Sequence, residues 1–174
     1  MRNLILTVIF ITATAFFSYA QKYAYVDTDY IMENIPEYGA AQEKLNELSV
    51  DWQKEIEGKF AEIDKLYKSY QSESVLLPED LKRQREEEII KKEREAKELQ
   101  KKRFGQDGDL FKKRQELIKP IQDKVYNAIE DIANTKGYAF VFDKAGNMTM
   151  LFASPKFDLS DEVLRKIGNV VDKE

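Results

Sequence analysis

The run from Tyr38 to Thr135 leaves few folds open. Its first limb places Tyr38, Ala41, Leu45, Leu48, Trp52, Ile56, Phe60, Ile63, Tyr67 and Tyr70 at steps of three and four, between the straight-helix and supercoil periods. Such a stripe is one face of a helix and can bury against one neighbour. The second limb supplies that neighbour, sparsely through Leu81, Ile89, Ala96 and Leu99, then densely from Leu110 and Phe111 through Leu117, Ile121, Val125, Ile129 and Ile132. The pattern predicts an antiparallel, coiled-coil-like helical hairpin turning at Leu76-Leu77-Pro78-Glu79-Asp80. At ~1.5 Å per residue the first limb is roughly 55 Å long, more than a compact domain of this size needs. It is expected to project as an arm.

Local signals divide that arm. Ser72 to Ser74 end the first limb, and Pro78 with Glu79 and Asp80 opens the second, Pro suiting a first turn and acids suiting the positive end of the dipole. The tip carries Val75, Leu76 and Leu77, which either contact a partner or cap the hairpin seam. Between Lys91 and Arg103 only Ala96 and Leu99 are apolar, so this stretch is expected to be locally weak. Phe104-Gly105-Gln106-Asp107-Gly108-Asp109 reads as an elbow, with neither the Lys-Ser/Thr of a phosphate loop nor the later bidentate acid of a calcium loop. Pro120 should kink the helix that follows, and Gly137 is placed to cap it.

Charge and composition narrow the chemistry. The chain has no His and no Cys, which removes the usual zinc ligands, thiol nucleophiles and general base. No enzyme, metal or cofactor is expected. The formal net charge is −4, with an acidic first limb facing a basic second limb, which predicts charge complementarity across the hairpin. The basic run suggests nucleic acid, but the overall sign and the acidic facing limb argue against it as a partner. Arg2, an apolar run from Leu4 to Phe17 and Ser18-Tyr19-Ala20 spell a secretory signal over residues 1–20, so the mature chain is expected to start at Gln21. The run is shorter than the ~20 residues a spanning helix needs, and no Cys follows it for a lipid anchor.

What flanks the arm is small and β-rich. Tyr23-Ala24-Tyr25-Val26 and Tyr138-Ala139-Phe140-Val141-Phe142 read as strands, and Met148 to Ala153 as a further strand closing a hairpin on the latter. A last helix starts at Ser160 with Val163, Leu164, Ile167, Val170 and Val171 on its inner side. The fold class is thus α+β, mainly α: an arm over residues 36–135 inserted in a discontinuous base of residues 21–35 and 136–174. Strands apolar on nearly every residue want cover on both faces. A base this small, without disulfides or metal, is marginal alone, so it is expected to assemble.

The order of these elements resembles the Skp/OmpH family of periplasmic chaperones. The resemblance runs from about Lys22 to Val171 and is most specific at IKPIQDKVYNAIEDIANTKGYAFVFDKAG and FASPKFDLSDEVLRKI. It implies a periplasmic homotrimer whose bases share a core of Tyr23, Tyr25, Val26, Phe140, Val141, Phe142, Met148, Met150, Leu151 and Phe152. It further implies that unfolded outer-membrane proteins are held between the arms without ATP. Candidate client contacts are Val75, Leu76, Leu77 and Leu81 at the tip, with Tyr67, Tyr70 and Phe104 along the arm; for Tyr67 and Tyr70, packing in the seam is the slightly favoured alternative. Known members are strongly basic and this chain is acidic. Where they carry a cluster linked to lipopolysaccharide, this chain reads FGQDGDLFKKR, which leaves Lys112, Lys113 and Arg114 as the nearest contact for membrane surface or anionic lipid.

A structural adaptor bridging envelope components is the competing reading. It would call for an apolar seam continuous to the tip, and the Lys91 to Arg103 stretch lacks one.

Overall fold

Helix dominates because the apolar period of the sequence is helical over most of its length. The computed structural model describes residues 21–146 and 150–168. Strand β1 (Lys22–Val26) leads into a short helix α1 (Thr28–Glu33), followed by α2 (Pro36–Glu73), α3 (Glu79–Phe104), α4 (Asp109–Lys136), strand β2 (Tyr138–Asp143), a 3-10 turn at Pro155–Phe157 and helix α5 (Ser160–Lys166). Two units result, one of the described residues up to Ile31 together with those from Val125 onward, the other of Met32–Lys124. The proposed signal segment, Met148, Val170 and Val171 lie outside the described residues.

In the larger unit α2 and α3 form the predicted hairpin. The break falls at residues 74–78, with Pro78 immediately before α3. A second break at residues 105–108 separates α3 from α4 as the glycines require. Ile63, Ile89 and Ala96 are the buried core of the hairpin, with Leu66 and Tyr70 packed on them. The stripe read from sequence is wider than the face that is buried: Ala41, Leu45, Ile56 and Ile63 are covered, whereas Phe60 and Tyr67 stand at its exposed margin. On the second limb Leu81 and Phe111 are exposed and Ile118 is buried instead.

Charge complementarity is realised differently from the expectation. Among the described residues, one ion pair links α2 to α3, Arg103 Nη2 to Glu55 Oε2 at 3.2 Å. The pairs Lys44–Glu47, Lys68–Asp64, Arg83–Asp80 and Arg85–Glu88 all join neighbours on one helix. Side chains three or four apart on a helix are already adjacent, so they meet before a partner on the facing helix does.

In the base unit β1 and β2 pair parallel, Tyr23 opposite Phe140, Ala24 opposite Val141 and Tyr25 opposite Phe142. Parallel neighbours need a long crossover, and the entire helical insertion serves as one. This corrects the expected hairpin: residues 150–153 are irregular, and the two-stranded sheet is β1 with β2. A strand forms where it finds a neighbour's hydrogen bonds, and β1 supplies them to β2. The core gathers Ala24, Val26, Ile31, Val125, Ala128, Ile132, Leu159, Val163 and Leu164, all buried. Alternation puts Ala24 and Val26 on one face of the sheet and Tyr23 and Tyr25 on the other. Gly137 has a φ of 69°, a left-handed backbone that lets α4 end directly before β2.

Polar caps fix the chain at the end of β1. Asp27 Oδ1 accepts the Tyr30 N–H at 3.1 Å and so caps α1, while Lys144 Nζ lies 3.2 Å from its Oδ2. The Asp27 N–H donates to Ser160 Oγ at 2.9 Å, and the Ser160 hydroxyl donates to Asp158 Oδ1 at 2.6 Å. Thr28 donates from N–H and hydroxyl to the Asp143 carboxylate at 3.1 and 2.7 Å.

The Tyr30 hydrogen bond, aided by Lys144, holds the Asp27 carboxyl below the usual carboxylate range against the opposing effect of burial. A depressed folded-state value means stability that is complete above the unfolded value of ~3.9 and is lost as pH falls through the folded one. Asp27→Ala is expected to cost about 1–2 kcal/mol at neutral pH, measured by urea unfolding. The difference from wild type should shrink in acid, and Asp27→Asn, which keeps the cap, should recover most of the loss.

Candidate functional site

The described residues of each unit offer one apolar surface that the chain itself leaves open. On the base, period-two alternation aligns Tyr23 with Phe140 and Phe142. The Tyr23 and Phe140 rings stack at 5.8 Å and 8°, and Phe142 lies 6.4 Å from Tyr23 and 6.3 Å from Phe140. Phe140 is 54% exposed and Phe152 85%. Tyr23, Phe142 and Phe152 border an open cleft of about 790 Å³, also lined by Tyr25, Tyr138, Met150 and Phe157. Strands apolar on both faces suggested a sheet bare on both. One face is in fact covered, because Ala24 and Val26 are buried, and the aromatic face is bare at Tyr23 and Phe140 but closed over Tyr25.

The residues expected to form an assembly core therefore divide. Tyr23, Phe140, Leu151 and Phe152 are exposed, whereas Val141, Phe142 and Met150 are half-buried. Tyr25 and Val26 are already buried within the single chain. Burial, with the Asp158 carboxylate beside it, pushes the Tyr25 phenol above its ordinary value, so this hydroxyl stays protonated and anchors the strand. Phe157 and Tyr138 border the same cleft and were not among the expected core residues; Tyr138 begins the strand read from sequence and alternates with Phe140 and Phe142, whereas Phe157 lies in no such pattern.

On the hairpin the tip residues Val75 and Leu76 are 87% and 86% exposed, Leu81 is exposed and Leu77 half-buried. No seam partner covers the first two, so of the two sequence readings the capping one does not describe them. Tyr67 is exposed. Tyr70 is not free: its ring packs on the Ile63–Ile89–Ala96 cluster and its hydroxyl donates to the Glu86 carboxylate, which raises the phenol's pKa. Phe104 is half-buried and meets the edge of Trp52 at 6.4 Å. Lys112 and Arg114 are exposed, and Lys113 pairs with Glu116 at 2.7 Å.

Chemically, these surfaces can bury apolar side chains and little else. Among the described residues no group of acidic side chains could hold a metal ion, and no helix is long and apolar enough to cross a membrane.

The family model described as "Outer membrane protein (OmpH-like)" matches residues 22–167. An uncharacterised protein of Aquifex aeolicus (strain VF5) is 31% identical over 156 residues, covering 90% of this chain and 91% of that protein. Among solved structures, an OmpH-like protein of Caulobacter crescentus CB15, named as a candidate outer membrane chaperone, superposes with a TM-score of 0.69 at 12% identity. That match covers 89% of this chain and 90% of the other.

Proposed function

Because this chain belongs to the OmpH-like family, we propose that it is a periplasmic, ATP-independent holdase that binds unfolded outer-membrane proteins and keeps them from aggregating. The observation that carries the reading is the tip, where Val75 and Leu76 are almost fully exposed while the nearest buried cluster of the hairpin is the small group Ile63, Ile89 and Ala96. The hairpin offers apolar surface instead of consuming it.

In this reading residues 1–20 direct export and are removed, the aromatic sheet face joins three chains, and three hairpins surround the client. Each apolar side chain covered by a client contributes up to ~1.5–3 kcal/mol, so a few weak contacts on each of three arms hold a chain without a deep pocket. Multivalency of this kind also explains release without nucleotide, since each contact opens singly. In the same reading Lys112, Lys113 and Arg114 meet an anionic membrane surface or lipopolysaccharide, supported by the exposure of Lys112 and Arg114. The activity is binding, not catalysis.

The test is light scattering on the mature chain, alone and after a urea-unfolded outer-membrane β-barrel protein is diluted into it. The expected result is a particle of three chains that keeps one client soluble. With Val75, Leu76 and Leu77 all changed to Ser, the particle should persist and client aggregation should return. A particle indifferent to the client would instead support the adaptor reading.

A further inference from the structure

Among the described residues, one side chain ties both sides of the break between α3 and α4 to α2. Arg103, in the last turn of α3, reaches in three directions: its Nη1 lies 2.8 Å from Asp109 Oδ2 at the start of α4, its Nη2 lies 3.2 Å from Glu55 on α2, and its guanidinium carbon sits 4.7 Å from the centre of the Trp52 ring. A planar guanidinium can pair with carboxylates along its edge while its face lies on an aromatic ring, which a lysine cannot do. Phe104 meets Trp52 in a T-shaped contact, with the ring centres 6.4 Å apart.

The closed state is tightly packed, and the latch itself carries a cost. The loop is folded so tightly on α3 that a Cβ at Gly105 would lie 2.4 Å from the Lys101 carbonyl oxygen, and one at Gly108 2.8 Å from that of Lys102. The Nε of Arg103 is buried without a hydrogen-bond partner, a standing cost that favours opening.

We infer that Arg103 is a latch: engaged, it ties both sides of the α3–α4 break to α2; released, it lets the break bend and uncovers the Trp52 and Phe104 rings as added apolar binding surface. The use of those rings for clients rests on the holdase reading, but the latch does not. Its strength comes from charge pairs that remain partly exposed, at 23% and 25% for Arg103–Asp109, so it should weaken with salt.

Trp52 is the sole tryptophan in the chain and sits under the latch, so the full mature protein reports on it without label or client. In Arg103→Gln the Trp52 emission should shift to the red. Exchange of the Gly105, Gly108 and Lys112 amides, which bond locally at the end of α3, within the break and at the start of α4, should quicken by on the order of ten-fold, with helical circular dichroism unchanged. Wild type should approach the same emission as salt nears ~1 M, where the Debye length falls to ~3 Å, and Arg103→Gln should no longer respond. Asp109→Asn, which removes one arm of the latch, should fall between the two. Emission and exchange unaltered in Arg103→Gln would overturn the latch. Equal acceleration throughout α2 and α3 would also do so, making Arg103 a structural residue only. Because no client is present, failure of the latch is distinguishable from failure of the chaperone reading.

Discussion

Aspartate at both Phe140 and Phe152 is expected to leave a folded chain that no longer assembles, seen by light scattering as the mass of one chain. Both rings are largely exposed within the single chain, so the protomer loses little by the change. At an interface the same carboxylates would have to be buried unpaired, which costs several kcal/mol each, and three copies multiply the penalty. The proposed assembly would have few other resources, since the protein has no Cys for disulfides and a small base. Far-ultraviolet circular dichroism should match wild type. A variant that retains the wild-type mass would remove the aromatic face from the interface, and one that loses its helical signal would mean the rings serve the protomer's own core. Client retention should fall along with assembly, because contacts on one hairpin lack the multiplication that three provide.

Leu164→Ala should produce the largest loss of stability within the base. Leu164 and Val163 on α5 are completely buried, as is Ile31. Removing a leucine side chain from such a site costs about 2–5 kcal/mol, the upper end applying where neighbours cannot collapse into the space. Here α5 is pinned at its start by the Asp27–Ser160–Asp158 hydrogen bonds and along its length by Lys136–Glu162 at 2.6 Å and Lys166–Asp131 at 3.3 Å. These fixings limit collapse and place the expected loss near the top of that range. Urea unfolding followed by near-ultraviolet signals from the base tyrosines is the measurement. By contrast, Ile89→Ala in the thin hairpin core should fall near the bottom, since helices with so few shared contacts can settle together. If the two losses proved equal, the difference in rigidity between the units would be refuted.

Much of the helical half was legible because helix signals are local. The step of three and four along Tyr38 to Tyr70, the Pro78 start, the Gly105–Gly108 break and the Gly137 cap each depend on residues within a turn or two of one another. The candidate sites were legible only in part. The apolar tip could be read directly, since Val75-Leu76-Leu77 interrupts polar sequence. The distinction between Tyr67, which is exposed, and Tyr70, which packs on Ile63 and bonds to Glu86, could not, because both lie close to one helical stripe.

By itself, then, the sequence determined the long helical hairpin, its turn, its elbow, the starts of both strands and the family to which the chain belongs. Tertiary structure alone decided that β1 pairs with β2 in parallel across more than a hundred residues, and that only one face of that sheet is left open. Strands apolar on nearly every residue carry no alternation to say which face is inside, so the answer waited on the folded base, in which Ala24 and Val26 are buried and Tyr23 and Phe140 are not. Arg103 had the same dependence. One arginine among many in a basic limb gains its role from Trp52 and Glu55 on another helix, and no pattern along the chain records that meeting.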